Sequence, residues 1–139
     1  MPDSAEGTKE NLHIGGQSEI LMYNRQEDDA TLPDLSPAGI ATSTALPTGA
    51  WECFEYLLGT DGSIEIWLNN NTIVGLTIKV AGVTNSNANG WGTTFIPKIT
   101  GVYFGWESYS GTINTFWYDD IVVSSSRVRC SWMTDRLSF

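Results

Sequence analysis

An all-β sandwich is the fold class that this sequence predicts. Helical periodicity is absent along the chain, so no segment offers the single apolar stripe that a packed helix needs. The apolar runs are short, and clusters of Gly, Asn, Asp, Ser and Pro separate them at the spacing of strands and turns. Six tryptophans and fourteen glycines among 139 residues point the same way. One domain is expected at this length, with enough chain for a real core.

Residues 12–24 read as two strands around Gly15-Gly16. Residues 28–39 read as an extended loop punctuated by Pro33 and Pro37, whose fixed φ and missing N–H suit neither a helix interior nor a central strand. Residues 51–58 form a strong strand, and Thr60-Asp61-Gly62 is a turn signal. The chain returns over 63–68 with Ile64, Ile66 and Leu68 alternating against Glu65 and Trp67. Asn69-Asn70-Asn71 turns it into a strand over 72–80, and 85–92 form a polar loop closed by Trp91. A last hairpin pairs 99–106 with 115–124. Along its first strand Tyr103, Gly105 and Glu107 share one face, while Phe104, Trp106 and Ser108 share the other. A water-facing sheet seldom carries so much aromatic area unless something stacks on it, and sugar rings are a common partner. Carbohydrate is therefore the first ligand to consider.

Seven basic against sixteen acidic residues give a net charge of -9. Such a surface repels phosphate backbones and anionic membranes, so neither nucleic acid nor a membrane is an expected partner. No apolar run approaches the roughly twenty residues that span a bilayer, and no secretion signal pattern opens the sequence. Asn70-Asn71-Thr72 is a glycosylation sequon at a turn, a weak pointer to secretion. Cys53 and Cys130 are too few for a zinc cluster and lack CxxC spacing. They form one bridge or remain two buried thiols. The bridge is predicted, worth about 3–5 kcal/mol by loop closure.

At His13-Ile14-Gly15-Gly16-Gln17, Asp28-Asp29-Ala30-Thr31-Leu32-Pro33-Asp34-Leu35-Ser36-Pro37, Cys53-Phe54-Glu55-Tyr56, Phe104-Gly105-Trp106-Glu107 and Trp117-Tyr118-Asp119-Asp120-Ile121, the chain resembles the cellulose-induced secreted proteins of cellulolytic fungi. That family is related to polysaccharide lyases such as glucuronan and alginate lyases. The resemblance covers 1–130 and leaves 131–139 as a tail outside it. It implies a β-jelly roll, a concanavalin-like two-sheet sandwich, with a concave face as the carbohydrate cleft. It also implies family strands ahead of the segment at Met1, so a partial, N-terminally truncated jelly roll is expected. An extracellular, monomeric protein of plant cell wall degradation follows from the same resemblance. Its partner is then a polysaccharide, either a uronic-acid polymer or a cellulose-associated glycan.

Eliminative cleavage of a uronic-acid chain needs a group that neutralises the sugar carboxylate, a base for the proton beside it and an acid for the leaving oxygen. His13 and Gln17 lie four apart on a strand and so share a face. His13 is the only histidine and the side chain whose ordinary pKa lies near neutrality. It is a candidate base, or else a hydrogen-bonded strand histidine with no catalytic part. The resemblance implies active-site positions at Gln17, Asp29 and Tyr109. The chain departs from the family pattern at Asn11, His13 and Leu57, where that pattern has His, Arg and His; these departures favour a non-catalytic binding protein.

Asp119 and Asp120 are strand neighbours facing opposite sides and cannot share one acid/base site. The inward one needs a partner, either a turn hydrogen bond or a hard cation such as calcium. The resemblance implies calcium at Asp119. Glu55, Glu65 and Glu107 supply carboxylates for a rival hydrolytic mechanism. Among the tryptophans, most of which belong to a core, Trp67 and Trp106 are assigned to sugar stacking.

Overall fold

The structure is a computed structural model and describes residues 11–26, 29–83, 85, 96, 98–105, 111 and 113–130. Two three-stranded antiparallel sheets organise these residues, as expected of an all-β sandwich. The first has the order β1-β2-β3, from β1 (Leu12–Gln17), β2 (Ile20–Arg25) and β3 (Ala30–Leu32). The second has the order β4-β5-β6, from β4 (Phe54–Leu58), β5 (Ile64–Leu68) and β6 (Asn71–Thr72). Among the described residues no helix is long and apolar enough to cross a membrane.

β2 begins with four apolar residues in a row, Ile20 to Tyr23, all of them buried. A strand with no polar face must be covered on both sides, and β2 is the central strand of its sheet. Its register with β1 runs from Leu12↔Arg25 to Gln17↔Ile20. The connecting turn is therefore Ser18-Glu19, both left-handed at φ 52° and 63°, as a two-residue hairpin loop requires. The turn expected at Gly15-Gly16 is displaced, and both glycines lie inside β1. Gly16 is there because of close packing: a Cβ on it would stand 2.6 Å from Leu46 Cδ1.

The loop expected over 28–39 contains β3, a cis Leu32-Pro33 bond and a five-residue helix, α1 (Pro37–Ala41). Ser36 caps α1, its Oγ accepting from the Gly39 N–H at 3.2 Å, and Pro37 opens the first turn, where its missing N–H has no consequence. The β4–β5 hairpin forms as expected, though β4 starts at Phe54. Asp61 Oδ1 accepts from the Ser63 N–H at 2.9 Å in its turn. The strand expected over 72–80 shrinks to β6 and a 3₁₀ turn, Val74–Leu76, before Ile78 rejoins Ile64 by two backbone hydrogen bonds.

One core joins the sheets. Leu21, Tyr23 and Leu32 meet Ile64, Ile66, Ile73, Leu76 and Ile78, and each such side chain stabilises the fold by about 1.5–3 kcal/mol. Tyr23 is fully buried, and its hydroxyl donates to the Leu76 carbonyl at 2.5 Å, satisfying both polar groups.

The hairpin expected over 99–106 and 115–124 is corrected by the structure, since the described residues of both segments carry no strand. Val122 and Val123 are 64% and 74% exposed. A two-stranded ribbon is marginal unless its apolar face is covered, and no sheet among the described residues covers this one. The segments do touch. Phe104 and Tyr118 rings pack edge-on at 6.2 Å, and the Tyr118 hydroxyl donates to the Gly105 carbonyl at 3.0 Å.

Residues 127–130 are fastened to the second sheet. The Cys53–Cys130 disulfide is formed. Glu55 accepts from Arg127 Nε and from the Val128 and Arg129 N–H groups at 3.0, 2.7 and 3.0 Å. The Asn70 side chain accepts from the Cys130 N–H at 3.0 Å and donates to its carbonyl at 3.3 Å.

Candidate functional site

Among the described residues β1 and β4 are edge strands of the two sheets, and they border one broad trough of about 2490 Å³. On β1 the side chains alternate, so Leu12 and Ile14 pack on the core while His13, Gly15 and Gln17 take the opposite face with Met22 and Asn24 of β2. His13 is half-buried and Gln17 exposed. Between them Gly15 presents no side chain, and nothing lies within 4 Å of where its Cβ would stand. The result is a notch in the sheet face, flanked by an imidazole and an amide about 13 Å apart along the strand. Sequence reading had assigned Gly15 only to a turn.

Aromatic surface lines the rest of the trough. Trp51, Tyr103 and Trp117 are 57%, 69% and 77% exposed there. Trp67 behaves otherwise. It is buried at 3% exposure, and the Arg127 guanidinium carbon stands 3.8 Å from its ring centroid. Its expected part as a sugar platform is corrected, because a cation already occupies the ring face. Trp51 could have been singled out from its place beside Gly49-Ala50, ahead of the alternating core positions of β4. Trp106, Tyr109 and Glu107 lie outside the described residues.

Asp29 is exposed at the mouth of β3 with φ 55°. Register puts Ala30 opposite Arg25 and Arg25 opposite Leu12, so Asp29 falls level with Asn11 at the far end of the sheet from Gln17, roughly 20 Å along the strand direction. The first sheet therefore sets His13 and Gln17 on one face about 13 Å apart and leaves Asp29 at the His13 end, remote from Gln17. The charges bordering the trough are Glu19 and Glu52 against Lys98, with His13 the one further titratable base. Glu52 accepts a hydrogen bond from the Asn69 side chain.

Glu55, a candidate for hydrolysis, is occupied by its three hydrogen bonds. Burial pushes its carboxyl up, but the Arg129 N–H, the Arg127 side chain, the Val128 N–H and the Arg127 charge outweigh burial and hold it below 4.5. Asp119 is exposed and lies on no strand, and its Oδ1 accepts from the Asp120 N–H at 2.8 Å. No three His, Cys, Asp or Glu side chains gather as metal ligands among the described residues.

The family model described as polysaccharide-lyase-like, Cip1-like core domain, matches residues 1–126. The chain belongs to the Cip1-like family. Among solved structures this Cip1-like chain is similar to cellulose induced protein Cip1, with 62% identity and a TM-score of 0.78. The match covers 86% of this chain and 55% of that one, so the chain spans about half the length of its relative. Comparison with curated proteins returns no match. With two antiparallel sheets and almost no helix among the described residues, the Cip1-like chain is a β-sandwich of jelly-roll type, and its family is a carbohydrate-related one.

Proposed function

We propose that the trough holds a cell-wall polysaccharide and that the reaction it suits is β-elimination on a uronic-acid chain. The observation that carries this reading is the notch at Gly15, with His13 and Gln17 on either side and exposed aromatics along the same trough. A pyranose ring over Gly15 puts its carboxylate within reach of the Gln17 amide, whose N–H groups offset the charge that builds up as the adjacent carbon loses its proton. His13 accepts that proton, and Tyr109, the active-site position that the family resemblance implies, protonates the leaving oxygen. Asp29 is the further candidate, at the opposite end of the sheet from Gln17. Membership in a polysaccharide-lyase-like family supports the reaction class.

Incubation with glucuronan, alginate and pectin, followed by the ultraviolet absorbance of the unsaturated product, tests this. Product is expected with one polyuronate and is lost in Gln17→Ala; no absorbance with any of them across pH would falsify the lyase reading. Non-catalytic binding of a neutral glycan is the second reading, favoured by the separation of Asp29 from Gln17 and by a trough that is not basic. Calorimetry showing a neutral glucan bound without product distinguishes it. An extracellular site of action belongs to the same proposal, with the Asn70 sequon in its support.

A further inference from the structure

We propose that Asn69 is a positioning residue of the glycan trough, whose side chain anchors the sugar platform Trp51 by gripping the two residues that follow it. The proposal rests on the reading of the trough as a sugar site. Asn69 and Asn70 form the two-residue loop between β5 and β6, closed by the Leu68↔Asn71 pair, and both are left-handed at φ 51° and 67°. Asparagine tolerates that backbone, and glycine tolerates it better. The turn by itself therefore asks for no side chain at either position.

Both side chains are nonetheless in use, and each holds a different stretch of chain. Asn70 holds Cys130, as described above. The Asn69 N–H donates to the Cys53 carbonyl at 2.8 Å, which continues the β4–β5 ladder one residue beyond Phe54↔Leu68. The Asn69 carbonyl accepts from the Asn71 side chain at 3.1 Å, and it is the Asn69 Oδ1 that accepts from the Cys53 N–H at 3.0 Å. From the same amide, Nδ2 donates to the Glu52 carboxylate. One planar group thus fixes two successive residues, and its bond to a charged acceptor is of the stronger kind. Trp51 comes next, and it lines the trough with Glu52. Residues 51–53 belong to no strand, so no ladder beyond Cys53 orders them. The Cys53–Cys130 bridge restrains the Cys53 side chain but not the backbone angles of Glu52, on which the place of Trp51 depends. The Asn69 amide restrains that side. A platform ordered before the sugar arrives binds more tightly than one ordered by the sugar.

The test uses the full chain with Asn69→Gly, Asn69→Asp and the double variant Asn69→Asp/Glu52→Gln. Asn69→Gly keeps the turn and removes the amide; Asn69→Asp keeps the acceptor for Cys53 but sets a carboxylate against Glu52. The double variant reverses the donor and acceptor of that bond and keeps the original net charge. Without glycan, the Trp51 indole NMR signal is expected to move in both single variants and to return in the double one, while amide protection in β4–β5 confirms folding in all three. Titration with glucuronan and with neutral glucan oligosaccharides is expected to show affinity at least about fivefold weaker in the single variants and restored to within about twofold in the double one. An unmoved indole in both single variants overturns the proposal. So does a double variant no better than Asn69→Asp, or an indole that moves with no change in affinity. An unsubstituted chain that binds neither oligosaccharide overturns the trough reading instead, and the indole comparison, made without glycan, still decides for or against the anchor.

Discussion

Gly15 carries the sharpest consequence at the scale of single residues, because open space rather than a side chain makes the notch between His13 and Gln17. Gly15→Leu fills that space and is expected to abolish glycan binding, and because the backbone there stands at φ 159°, which residues with a Cβ rarely adopt, it is also expected to lower the urea midpoint. Glu55 shows where a residue list misleads. Sequence offers it as half of a catalytic pair, whereas its oxygens hold Arg127, Val128 and Arg129. Its carboxyl is lowered in the folded chain, so the stabilisation is present above pH 4.5 and lost as pH falls through the folded value. Amide exchange at Val128 and Arg129 is expected to quicken on acidification below that point, and Glu55→Gln is expected to flatten the pH dependence at a cost of about 1–2 kcal/mol. Tyr23 works in the opposite sense. Burial pushes its phenol well above 10.0, so its contribution is intact below pH 10 and is drawn down above it. Tyr23→Phe leaves the Leu76 carbonyl without that donor, and urea unfolding is expected to show a loss of about 1–2 kcal/mol.

Elements differ in how far the sequence discloses them, and the reason is locality. The β4–β5 hairpin is readable because alternation and the Asp61-Gly62 turn lie within fifteen or so residues and agree with each other. Strands β1 and β2 are readable too, but their turn is not. Gly15-Gly16 is the stronger local signal, yet the buried run Ile20 to Tyr23 sets the register and forces Ser18 and Glu19 into left-handed backbone. The stretch 99–124 fails for a different cause: period shows which side chains would share a face, not whether another sheet covers it. Trp67 likewise reads as a platform until Arg127, sixty residues on, is found over its ring. The Cys53–Cys130 bridge was legible from cysteine count, and it closes a loop across a sequence separation of 77. Replacing both cysteines with alanine is expected to cost about 3–5 kcal/mol, read as a lowered denaturation midpoint.

For the whole molecule, the fold class and the family were legible in the sequence, since several motifs recur in order across most of the chain. The site was legible only in part: His13 and Gln17 on one strand face follow from alternation alone, while the trough and the remoteness of Asp29 from Gln17 depend on long-range register. A net charge of -9 and a trough bordered by Glu19 and Glu52 against Lys98 make any polyuronate binding salt-sensitive, strengthening as added salt screens the net repulsion. The most direct measurement is a two-dimensional NMR titration of the chain with glucuronan oligosaccharides. Saturable shifts are expected at the Gly15 amide, the Gln17 side-chain amide and the Trp51 indole, all absent in Gly15→Leu. Spectra that stay unchanged, or shifts confined to Trp67 and Arg127 on the second sheet, would contradict a carbohydrate cleft on β1.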